Sequence, residues 1–102
     1  MEDHFQKWLR DKTAYLTEYT LKLIRAEWRG CGLENMILKE LFSLWIQVRS
    51  EGLKWEPLLA QYSVKDATKW ARRMAEKRKG SVCYWLTKAL KLMRNYYKAM
   101  KG

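Results

Sequence analysis

A chain of 102 residues with twenty-one Lys and Arg against eleven Asp and Glu, a formal charge of +10, has room for one modest core and none for a second domain. Hydrophobic residues at 48% and aromatics at 14% exclude the low-apolar composition of a disordered chain. No apolar run reaches the roughly 18 residues that a membrane-crossing helix needs.

Helical periodicity dominates, and a single proline leaves few breaks, so the expected fold is all-α: a compact bundle of four to five helices forming one domain over residues 1–102. The first helix is expected from about Asp3 to Trp28, with Phe5, Trp8, Leu9, Tyr15, Leu16, Tyr19, Leu23 and Ala26 near one face. "RGCG" at 29–32 ends it. The amino-terminal "MEDHFQKWLR" is acidic and amphipathic rather than a charged start with an apolar signal core, so a cytoplasmic location is expected.

The second helix, from about Leu33 to Ser50, carries Met36, Ile37, Leu38, Leu41, Phe42, Leu44, Trp45, Ile46 and Val48. That apolar surface is wide enough to touch several neighbours and suits a central helix. Gly52 stops it, and Pro57 fits the first turn of a short helix over Leu58 to Tyr62. Ser63 then reads as the N-cap of a third helix, with Asp66 three positions on, and Gly80 as its end. Ser81 caps the last helix, unless "KRKGSVCYW" continues as one kinked helix.

The charge is segregated. Residues 1–64 hold nine Lys and Arg and nine Asp and Glu, whereas residues 65–102 hold twelve Lys and Arg against Asp66 and Glu76. The whole net charge therefore sits in the last third, and the basic part at 64–101 is expected to face a polyanion, because neutralising phosphates releases counterions. On the third helix an apolar arc of Val64, Ala67, Trp70, Ala71, Met74 and Ala75 opposes Lys65, Lys69, Arg72, Arg73 and Lys79, and Lys77 joins them as a candidate phosphate contact. On the last, Val82, Trp85, Leu86, Ala89, Leu90, Leu92, Met93, Tyr96 and Tyr97 oppose Lys88, Lys91, Arg94 and Lys98. Those four cations form a stripe about 15 Å long, comparable with a few successive phosphates. They repel one another without acidic partners four residues away, which favours a counter-charge from outside. Tyr84 lies in the stripe and is the candidate for stacking on an unpaired base.

Catalytic chemistry has little support. His4 is the sole histidine, no Ser or Cys has a base placed beside it by sequence, and no glycine-rich loop can cradle a phosphate. The pairs Glu34 and Glu40, and Glu51 and Glu56, read as salt-bridged surface rather than as acid–base partners. Cys31 and Cys83 match no metal or redox spacing and are expected as separate thiols with no disulfide between them. No cofactor, no metal and no enzyme activity are expected. The six tryptophans spread over every helix and read as core and contact residues, with Trp55 in the connector the expected exception.

Two resemblances carry these residues toward a function. "LLAQYSVKDATKWARRMAEKRKG" at 58–80 is similar to the helix-turn-helix of bacterial regulators, with Leu58, Tyr62, Val64 and Thr68 at the pattern's positions; Ser63 stands where glycine is common, and Trp70 and Met74 fall about one position late. It implies Lys65, Asp66, Lys69 and Arg73 as groove-facing residues. Over most of the chain, "FQKWLRDKTAYLTEYTLKLIRAEW", "RGCGLENMI" and the basic carboxy-terminal helices resemble the small subunit of CRISPR RNA-guided effector complexes. This second resemblance implies a non-catalytic helical subunit of a ribonucleoprotein. Its copies would lie side by side against other protein subunits, holding RNA or DNA strands by their phosphates. Single-stranded DNA, RNA and duplex backbone are all compatible partners. A membrane is not expected, since the aromatics of the last helix are better used in a core.

Overall fold

A computed structural model describes the backbone of residues 3–101 and the side chains of residues 3–93. The described chain is helical with no strand, and the all-α expectation holds with six α-helices in place of four to five. They are α1 (His4–Arg10), α2 (Lys12–Tyr15), α3 (Glu18–Leu23), α4 (Glu34–Ser50), α5 (Pro57–Lys77) and α6 (Val82–Lys101). A π-helical turn (Ile24–Trp28) and a 3-10 turn (Arg29–Cys31) extend α3 without a break.

The expected first helix is thus divided. Leu16 is extended, and Thr17 restarts the helix by accepting a hydrogen bond from the Thr20 N–H at 3.1 Å, as an N-cap does. The restart changes the helical phase. Trp8 and Leu16 are buried as their periodicity demands, but beyond the break the buried set is Thr20, Leu21, Ile24 and Trp28, while Tyr19 and Ala26 face solvent.

The opposite correction applies at residues 58–80. Pro57 stands at the helix start, where its missing N–H costs nothing, and α5 then runs on without interruption through Ser63 to Lys77. Ser63 is no N-cap: it is buried in mid-helix and donates its hydroxyl to the Leu59 carbonyl at 2.9 Å. A helix-turn-helix needs a turn there, and the chain has none. At the other end the helix does stop. Residues 78–80 bend, Gly80 takes φ of 126°, and Ser81 caps α6 by accepting from the Tyr84 N–H at 3.1 Å.

Packing follows the amphipathic faces. α5 and α6 form an antiparallel hairpin closed by Ala60, Val64, Ala67, Ala71, Leu86, Ala89, Leu90 and Met93, the small alanines allowing close approach. α4 lays Ile37, Leu38 and Leu41 against the π turn and α6, and it also meets α1. An aromatic cluster of Phe5, Trp8, Tyr15, Phe42 and Trp45 fills the α1–α4 contact, with ring centroids 5.2–6.5 Å apart. Trp55, expected as an exception, is a core contact after all. It packs on the cluster and its indole N–H donates to the Tyr15 carbonyl at 2.9 Å, tying the connector to the end of α2.

The two cysteines also depart from expectation. Cys31, at the end of the 3-10 turn, and Cys83, in the first turn of α6, form a disulfide across 52 residues of sequence with 5.4 Å between their Cα atoms. Nothing in their spacing signals it, because the contact depends on how α6 folds back over the α3–α4 corner.

Candidate nucleic-acid interface

The α5–α6 hairpin carries the basic third of the chain, and its packing sorts the cations. On α5, Gln61, Thr68 and Arg72 share one side, which faces the α3 rod. Gln61 accepts a hydrogen bond from Thr17 at 2.8 Å, Thr68 accepts one from the buried Trp28 indole at 3.0 Å, and Arg72 pairs with Glu27. Lys65 lies between Gln61 and Thr68 on that seam and is half-buried. Arg72 is therefore already neutralised from within the fold, and the free phosphate-facing set loses one of its expected members.

Lys69 and Arg73 stand on a different side of α5. They rim a shallow groove of about 390 Å³ between α5 and α6, which is also lined by Asp66, Trp70, Leu92 and Met93. Lys77 and Lys79 are exposed at the hairpin end, joined there by exposed Arg78, which the sequence reading left out. On α6, Lys88 and Lys91 are exposed on the side opposite the buried Leu86, Ala89, Leu90 and Met93, as the helical spacing requires. Arg94 and Lys98, the other two members of that stripe, lie outside the residues whose side chains are described.

Tyr84 is 49% exposed, with Lys88 5.2 Å from its ring centroid and Trp85 packed edge-on at 5.0 Å. Trp85 in turn meets Trp70 edge-on at 5.7 Å. A chain of three aromatics thus runs from the outer face of α6 to the groove, flanked by Lys69, Arg73 and Lys88. Among the described residues the hairpin's acidic groups are Asp66 and Glu76 alone, and no ion pair engages Lys69, Arg73, Lys77, Lys88 or Lys91. Such a surface can hold a polyanion through charge and offer ring faces or edges to its bases.

Away from the hairpin, Lys22 pairs with Glu18 and Arg29 with Glu34. Arg29 grips Glu34 with two hydrogen bonds of 2.7 and 2.9 Å across the α3–α4 corner. The hydrogen bond from Arg29 holds the Glu34 carboxyl below its ordinary range against an opposing desolvation, with the positive charge of Arg29 itself adding to the shift. This is the salt-bridged surface expected of Glu34. Among the described residues no three His, Cys, Asp or Glu side chains gather as a metal site would require, and no helix is long and apolar enough to cross a membrane.

The groove is the part that sequence reasoning missed. Helical periodicity puts Trp70 on the apolar arc and Asp66 near a helix start, and only the placement of Leu92 and Met93 opposite them creates a recess. Comparison with known proteins adds no relative: no family model, no curated protein and no solved structure matches this chain.

Proposed function

We propose that this protein is a non-catalytic binder of nucleic-acid backbone, acting through the outer faces of the α5–α6 hairpin within a larger ribonucleoprotein. The observation that carries this reading is the run of exposed cations Lys69, Arg73, Lys77, Arg78, Lys79, Lys88 and Lys91 on one hairpin, without compensating acids on α6. Evenly mixed charge would suffice for solubility; a segregated patch is an electrostatic footprint for phosphates. The likeness to CRISPR effector small subunits supplies the setting, in which copies lie side by side against other subunits and base pairing elsewhere supplies sequence selection. Exposed Met36, Ile46, Leu53 and Leu58 give such subunits apolar points of contact.

The alternative regulator reading loses its motif with the uninterrupted α5. Membrane docking by α6 is disfavoured by the use of Val82, Trp85, Leu86, Ala89, Leu90 and Met93 of its apolar face in the core. The proposed setting is cytoplasmic, and the Cys31–Cys83 disulfide, a bond uncommon in reducing compartments, is the observation that stands against that location.

The test is fluorescence anisotropy with a labelled single strand, comparing the natural chain with a variant carrying Lys69→Glu, Arg73→Glu, Lys88→Glu and Lys91→Glu. All four side chains are exposed and none is ion-paired among the described residues, so the helical circular dichroism should persist while affinity falls at least about tenfold. Equal binding by the two proteins would refute the assignment.

A further inference from the structure

The groove between α5 and α6 has a composition that phosphate grip alone does not require. Its lining is largely apolar and aromatic, with half-buried Trp70 and buried Met93 inside and exposed Leu92 on the solvent side, and its volume of about 390 Å³ is at the small end of pockets that enclose organic ligands. A peptide helix is too large for it; a single ring system is not. Lys69 and Arg73 lie one helical turn apart on its rim, about 6 Å, close enough for both to reach one phosphate group or two neighbouring ones. Asp66 shares the rim. A carboxylate there repels phosphate, but it accepts hydrogen bonds from N–H groups of the kind that cytosine, adenine and guanine carry on their exocyclic amines.

We infer that the α5–α6 groove is a nucleotide pocket: it takes one unpaired, amino-bearing base against Trp70, with Asp66 accepting from the base and Lys69 and Arg73 holding the adjoining phosphate. This deepens the backbone-binding reading and rests on it. It makes the preferred ligand single-stranded, because a base held in a duplex stack cannot enter the recess, and it makes the hairpin's grip sensitive to the presence of bases as well as of charge.

The experiment separates those two contributions with two labelled probes of equal length: oligodeoxycytidylate of twelve nucleotides, and the same sugar–phosphate chain with every base removed. The natural chain should bind the first at least about fivefold more tightly, the low end of what stacking one base contributes. Trp70→Ala and, independently, Leu92→Trp should abolish that advantage and leave the base-free probe's affinity unchanged. Leu92 is 42% exposed, so Leu92→Trp fills the groove from its solvent side without opening the core, and it covers the case in which Trp70→Ala unfolds the hairpin. Equal affinity of the natural chain for both probes would overturn the pocket and leave the phosphate grip standing. Binding to neither would refute the grip, and the pocket with it. Loss by both variants of binding to phosphatidylglycerol vesicles, with oligonucleotide binding intact, would reassign the groove to an acyl chain and overturn the inference.

Discussion

Thr68 joins two parts of the fold through one hydroxyl. It accepts from the indole of Trp28, which is fully buried in the π turn, and donates to the Val64 carbonyl at 2.8 Å within α5. Replacing it with Val keeps the shape but leaves the Trp28 N–H with no partner in a dry site. Thr68→Val should therefore lower unfolding stability by about 1–3 kcal/mol in a urea titration; a change within experimental error would mean that water or a shifted side chain already satisfies the indole. Thr68 was legible only as a match to the helix-turn-helix pattern, since a hydroxyl that is wanted for a tryptophan forty residues away leaves no mark in local periodicity. Trp28 and Trp8 were legible as core because large aromatics at helical spacing bury the most area wherever they sit.

Between elements, corners decide more than propensities do. The α3–α4 corner is held by Gly32 at φ of 70°, a left-handed conformation that few other residues adopt without strain, and by the Arg29–Glu34 pair. The folded carboxyl of Glu34 titrates below its ordinary value, so the pair contributes stability above the unfolded pKa of about 4.3, and that contribution disappears as pH falls through the folded value. Glu34→Gln should accordingly melt at a lower temperature than the natural chain near neutral pH, with the gap closing on acidification toward pH 3; a gap constant across that range would assign the effect to packing instead. At the α5–α6 corner, a Cβ on Gly80 would come within 3.1 Å of both the Trp85 indole nitrogen and the Tyr84 ring, so glycine is needed for contact as well as for its backbone angle. Gly32 and Gly80 were readable as stops. The break at Leu16 and Thr17 was not, because "YLTEYT" keeps an apolar rhythm that an unbroken helix would also satisfy. Ser63 misled in the other direction: serine three positions before Asp66 fits a cap, and only burial of its hydroxyl in mid-helix rules that out.

Across the whole molecule, the amino-terminal two thirds balance their charge and build most of the aromatic core, while the α5–α6 hairpin contributes one buried face and exposes Lys69, Arg73, Lys77, Arg78, Lys79, Lys88 and Lys91 away from it. The segregation was visible in the sequence. Its arrangement was not: exposed Arg72 pairs with Glu27 across the α3 seam, Lys69 and Arg73 overlook a groove, and Lys88 sits over Tyr84, because each depends on which neighbour occupies the next face. The Cys31–Cys83 bridge belongs to the same class, a contact set by the return of α6 and invisible in spacing.

The central claim is that this hairpin holds phosphates, and the affinity of the natural chain for a labelled single strand of random sequence, followed across a salt series, tests it most directly. Four to six engaged cations predict that log affinity falls linearly with log salt at a slope of roughly −3 to −4, from about 0.7 per phosphate contact, with little dependence on sequence context. No binding at low salt, or binding whose affinity is flat across the series, would contradict the account.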